Sequence, residues 1–167
     1  MGQALIQQRP LWAIENELLN AGLDWHRNSG RISFDQDRWF EPIQRHIQIS
    51  ADNREQWPPP YLFLGPKCTM VTMLGPEYAQ ELVGCAGLPD TEAESRVNAR
   101  YRWVSGGEGP CFDTISCTMR LPPDWRLVGV EYDRLILPTE LGNGLKTFSV
   151  FTAINRQLDL VGSRLIL

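Results

Sequence analysis

The chain has 167 residues, 43% of them hydrophobic and 22% charged, with a formal net charge of −4 and an isoelectric point near 5.2. One domain of this length buries about 68–70% of its unfolded surface, so stability calls for neither a disulfide nor a metal. The acidic balance, with Arg96, Arg100 and Arg102 standing beside Glu92 and Glu94, argues against a nucleic-acid footprint, which needs clustered Lys and Arg.

The opening segment Met1 to Pro10 has neither the positive n-region nor the long apolar h-region of a signal peptide. Ile6 stands where a myristoylation site takes Ser or Thr. No stretch approaches the ~18 apolar residues of a membrane span. Cys68, Cys85, Cys111 and Cys117, without a secretory signal, read as reduced thiols, and the expected location is cytoplasmic.

Residues 10–22 predict a first helix. Pro10 suits its first position, Leu11, Ile14 and Leu18 repeat at helical spacing, and Gly22 suits its end. Ser33 and Gln36 have capping-box spacing, but Pro42 interrupts any long helix there, so a short helix over Ile43 to Ile47 is expected. Trp57-Pro58-Pro59-Pro60 is stiff and extended; a rigid entry into the next strand explains it more simply than a ligand for a proline-recognition domain. Residues 1–57 therefore read as an N-terminal helical extension of a core spanning 58–167, the two forming one globular unit.

In the core, Tyr61 to Leu64 and Cys68 to Leu74 predict two strands, with Gly65-Pro66 turning between them. Gly75-Pro76 opens a short helix with Tyr78 and Leu82 as i,i+4 neighbours and Gly84 at its end. Small residues through Gly87 and Pro89 form a loop. A second helix follows, with Thr91 and Glu94 as capping box, Ala93, Val97 and Tyr101 at four-residue steps, and a stop at Ser105-Gly106-Gly107.

Three apolar runs close the chain: Cys111 to Leu121, Leu127 to Leu137 and Thr147 to Asn155. Pro122-Pro123-Asp124 and Gly142-Asn143-Gly144 separate them, so they predict an antiparallel meander. Alternation puts Phe112, Thr114 and Ser116 on one face of its first strand and Cys111, Asp113 and Ile115 on the other. The expected fold is α+β: a five-stranded antiparallel sheet covered on one face by short helices, with the helical extension before it.

Catalytic and metal signatures are weak. Gly106-Gly107-Glu108-Gly109-Pro110 lacks the Lys-Ser/Thr of a P-loop and leads into a strand, so it reads as a turn. Cys111 and Cys117 are too far apart on one extended strand to bridge, and no paired Cys/His spacing suits zinc. His26 and His46 lack a nucleophile or metal-ligand pattern; an axial haem ligand is a weaker reading for either than a surface or hydrogen-bonded His. Asp113 and Asp133 come from neighbouring strands, with Arg134 as a neutralising partner. The sequence names no cofactor.

Tyr132-Asp133-Arg134-Leu135-Ile136-Leu137-Pro138 resembles the Y-x-R-L-x-L-P signature of a bacterial PAS-like family. Asp24-Trp25-His26-Arg27 with Gly30-Arg31-Ile32 is similar to its W-R-x-x-G segment, His26 departing from the Arg or Ser common there. The resemblance covers residues 18–155 to within a few positions. It implies a PAS fold and a non-catalytic role in sensing or protein–protein signalling. The segment between Gly84 and Thr91 is short for the helical wall of a PAS pocket.

The expected function is thus a single-domain PAS-like regulator in bacterial signal transduction that docks to a separate signalling protein. A small-molecule ligand would lie between sheet and helices, walled by Tyr101, Trp103, Phe112, Tyr132 and Phe151, provided Phe112 and Tyr132 share a sheet face. The N-terminal helix, with Trp12 and its leucine stripe, is the expected surface for a homodimer or a partner. The rival readings are a small α+β hydrolase or isomerase using Asp113 or Asp133, and a ligand-free adaptor.

Overall fold

Strands β1 (Ala4–Arg9), β2 (Arg31–Ile32), β3 (Gln48–Ala51), β4 (Tyr61–Leu64), β5 (Cys111–Leu121), β6 (Arg126–Leu141) and β7 (Lys146–Asp159) form one sheet in the computed structural model. The structure describes residues 4–33, 40–53, 59–85 and 99–160. The lateral order is β1-β5-β6-β7-β3-β4, antiparallel throughout, and β2 adds a short parallel contact to β6. Among the described residues four α-helices flank it: α1 (Glu17–Asn28), α2 (Thr69–Leu74), α3 (Pro76–Leu82) and α4 (Ala99–Trp103). The α+β class with a large antiparallel sheet is as expected, but among the described residues the sheet has seven strands rather than five.

The meander follows the sequence closely. β5 spans Cys111–Leu121 as predicted, and both turn segments reverse the chain. Asn143 Oδ1 accepts from Leu145 N at 3.0 Å, and Gly144 supplies a φ of 84°, the left-handed backbone that glycine adopts without a Cβ clash. β6 and β7 run longer than the apolar runs suggested, because β6 continues through Pro138 to Leu141. The carbonyl of Pro138 accepts from His26 rather than joining the β7 ladder. The nitrogen and carbonyl of one strand residue point to the same side, so the missing N–H removes no sheet hydrogen bond.

Three elements differ from expectation. Cys68 to Leu74 alternates like a strand, yet residues 69–74 are helix α2, entered from extended Cys68 and closed by Gly75 at φ 85°. A six-residue apolar run carries no decisive period, and the glycine stop favours the helix. Residues 40–46 make turns, not a helix, with Ile43 N and Gln44 N both bonded to Phe40 O. β3 then follows, so the presumed helical extension also supplies strands. Pro10 opens only a 3-10 turn (Leu11–Ala13), while α1 starts at Asn16, whose side chain accepts from Leu19 N at 3.1 Å. α1 also runs through Gly22 rather than stopping there.

The helices cover both faces of the sheet, not one. On the face carrying Cys111, Ile115 and Ile136, here the front, α2, α3 and α4 pack through Leu74, Leu82 and Tyr101. On the back, α1 packs Leu19, Leu23 and Trp25 against Phe112, Leu135 and Phe151. Leu19, Leu23 and Trp25 of α1 are therefore buried within the domain. Trp12, in the turn before α1, is 87% exposed. No helix among the described residues is long and apolar enough to cross a membrane. The capping boxes at Thr91 and at Ser33–Gln36, with Trp57 and Pro58, lie wholly or partly outside the described residues.

Candidate functional site: a buried ion pair under the helices

Alternation sends Asp113 of β5 and Arg134 of β6 to the front face, where they stand directly opposite in register. Arg134 Nε donates to Asp113 Oδ1 at 3.0 Å and Nη2 donates to Oδ2 at 2.8 Å, a two-pronged contact with side chains 4% and 0% exposed. Burial by itself would lower the Arg134 pKa; the charge and hydrogen bonds of Asp113 outweigh it and raise the pKa above its ordinary value. The guanidinium carbon lies 5.6 Å from the ring centre of Tyr101, which meets Phe148 edge-on at 5.1 Å. A fixed charge pair thus ties β5 and β6 to α4.

Of the residues predicted to line a pocket, Tyr101, Trp103 and Tyr132 are on this front side. Burial pushes the Tyr132 phenol above its ordinary pKa, with Arg134 offsetting part of the shift, so it stays a neutral hydroxyl. Phe112 and Phe151 are in the α1 core on the back. In register, Phe112 pairs with Leu135 while Tyr132 pairs with Ile115, so Phe112 and Tyr132 cannot share a face. The five-residue wall is therefore corrected to three. The front face also holds two polar residues that pattern reading passed over, Gln48 and Ser50 of β3, opposite Val150 and Phe148. Ser50 is fully buried and its hydroxyl has no hydrogen-bond partner among the described residues. Their signal was available: two polar residues flank Ile49 in a segment with no turn chemistry.

The arrangement also bears on catalysis. Both Asp113 oxygens are engaged by Arg134, and Asp133 faces the back, where Thr114 Oγ1 donates to it at 2.7 Å. The sheet separates the two carboxylates, so they form no acid–base pair. Burial first, then the nearby Asp113 charge, pushes the Cys111 thiol up to about 11, and burial also raises Cys68. Both are protonated and poor nucleophiles near neutral pH. Among the described residues no three His, Cys, Asp or Glu side chains gather as a metal site.

A second polar feature joins the two sequence segments that carry the family resemblance. An open cleft of about 430 Å³ is lined by His26, Arg31, Asp52, Ser105, Glu140 and Lys146, among others. His26 Nε2 lies 2.9 Å from Pro138 O, 112 positions away, and Gly30 O accepts from Glu140 N at 3.2 Å. A carbonyl only accepts, so Nε2 carries the proton. The cleft's charges are of both signs; Arg31 sits 3.6 Å from Glu140, and Asp52 accepts from Ser105 Oγ at 2.8 Å.

Burial lowers the His26 pKa below 6.5; the Pro138 bond opposes this and the positive charge of Arg27 adds to it. The folded state therefore holds fewer protons than the unfolded state between its own lowered pKa and 6.5. Stability is fully present above 6.5 and declines as pH falls through that window. The urea midpoint should drop as pH is lowered through this window, and His26→Gln should flatten that slope. An equal slope in the variant would assign the effect elsewhere.

Searches of protein-family models, curated proteins and solved structures return no significant match to this chain.

Proposed function

We propose that this chain is a non-catalytic, PAS-like sensory or regulatory domain that acts in bacterial signalling by binding a small molecule or a protein partner on its front face. The observation that carries this reading is the strand order β4-β3-β7-β6-β5. Two strands come first, the helices follow, and a meander closes beside the first of those strands, an order that supports a PAS-like reading. The meeting of the Trp25–Gly30 segment with Pro138 and Glu140 supports it further, because the two resembling motifs become one structural junction. β1 and α1 are additions around that core.

Signalling requires unequal affinity for two conformations. The Asp113–Arg134–Tyr101 contact supports such a role, since it couples the central strands to a helix through groups that cannot be displaced without exposing charge. Tyr101, Trp103 and Tyr132 are the residues proposed to meet a ligand. Native mass spectrometry of the protein purified from its own cells tests the reading. A retained small molecule or a stoichiometric protein partner, diminished in Trp103→Ala, supports it. A bare protein with neither overturns it.

A further inference from the structure

The two long hairpin strands outrun their cover. α1 shields the back of the sheet around the row Phe112–Leu135–Phe151. Toward the other end, the rows Ser116–Glu131–Arg156 and Thr118–Gly129–Leu158 have no described helix or strand over their back side, where the Leu160 side chain lies against Gly129, although α2 and α3 cover the front of the same strands. β1 extends this bare face by pairing Leu5 with Ser116. Leu5, Leu158 and Leu160 are 71%, 46% and 40% exposed.

We propose that this bare face is the contact surface between two copies of the chain. Its charges support a second copy as occupant. Glu131 and Asp133 are matched by Arg120 and Arg156, so the face is neutral within a chain of net charge −4, and two copies meet there without the repulsion carried by the rest of the surface. Thr114 and Ser116 already bind Asp133 and Glu131, which quiets both carboxylates in place. The size fits too. Three strands and part of a fourth, spaced 4.8 Å and about eight residues long, cover about 500 Å² per copy, so two copies bury about 1,000 Å², the lower bound of a specific interface. The dimer is accordingly weak and reversible. This inference does not rest on the sensory reading; the surface is separate from the front face.

Light scattering on the full chain across the micromolar range tests it. The mass should rise from one chain to two with concentration. Leu5→Arg with Leu158→Arg should hold it at one chain with an unchanged melting curve, since both positions are exposed. Trp12→Arg, at the exposed turn before α1, should leave the dimer intact. A single-chain mass throughout, a dimer that survives the paired leucine substitutions, or one lost in Trp12→Arg would each overturn the proposal.

Discussion

Asp113→Ala is expected to lower the unfolding free energy by about 3–5 kcal/mol, because it leaves the Arg134 guanidinium buried without its counter-charge. The pair itself does not contribute that much. Taking two ions out of water consumes most of their attraction, so the loss measures a stranded charge rather than the strength of a bond. A second variant separates the two quantities. Asp113→Leu combined with Arg134→Met removes both charges and keeps the volume, and its stability should recover most of the deficit. Urea unfolding of the wild type, Asp113→Ala and the double variant gives the comparison. If Asp113→Ala costs less than about 1 kcal/mol, water reaches the pair and the site is not the closed junction described above.

Phe151→Ala should cost about 3–5 kcal/mol through the cavity left in the α1 core, where the ring is fully buried. The same contact predicts an inverted result at Gly22. Replacing a mid-helix glycine with alanine ordinarily favours the helix by about 1 kcal/mol. Here a Cβ on residue 22 would sit 2.7 and 2.8 Å from the Cδ2 and Cε2 atoms of Phe151, closer than real contacts allow. The ring is fully buried in the α1 core, so Gly22→Ala should destabilise by about 1–3 kcal/mol. Combined with Phe151→Ala it should cost clearly less than the two losses added, since the new methyl enters the vacated space. Strict additivity would mean that the two residues do not touch. The pair also reports on the ligand proposal: Phe151 acts in the core behind the sheet, so its loss should show in stability rather than as a direct lost contact with a front-face ligand.

The residues themselves explain why parts of this fold were readable and others were not. From Thr114 to Leu121 polar and apolar residues alternate, the run Cys111 to Leu121 lies between glycine- and proline-rich turns, and strand β5 has the same bounds. Arg134 was readable as a neutralising partner near Asp113 and Asp133, but the register that sets it opposite Asp113 was not. Gln48 to Ala51 was passed over as a strand although Gln48 and Ser50 alternate with Ile49, because pattern reading assigns polar residues to solvent and both are buried here. Cys68 to Leu74 misled in the opposite direction: six or seven residues of period two are too few to outvote the glycine that closes a helix at position 75. The candidate wall failed at Phe112 and Phe151 because alternation says which residues share a face of one strand, but not which of the two faces a helix will cover.

Local pattern alone was therefore enough for the meander, its turns, the short helix at Pro76–Leu82 and the alternation of side chains along β5. These depend on backbone preferences and on neighbours a few positions away. Long-range packing made the remaining assignments: α1 on the back of the sheet, β3 beside β7, and His26 against Pro138 across 112 positions. Such contacts arise from burial, which is indifferent to separation along the chain and leaves no periodic trace in either partner.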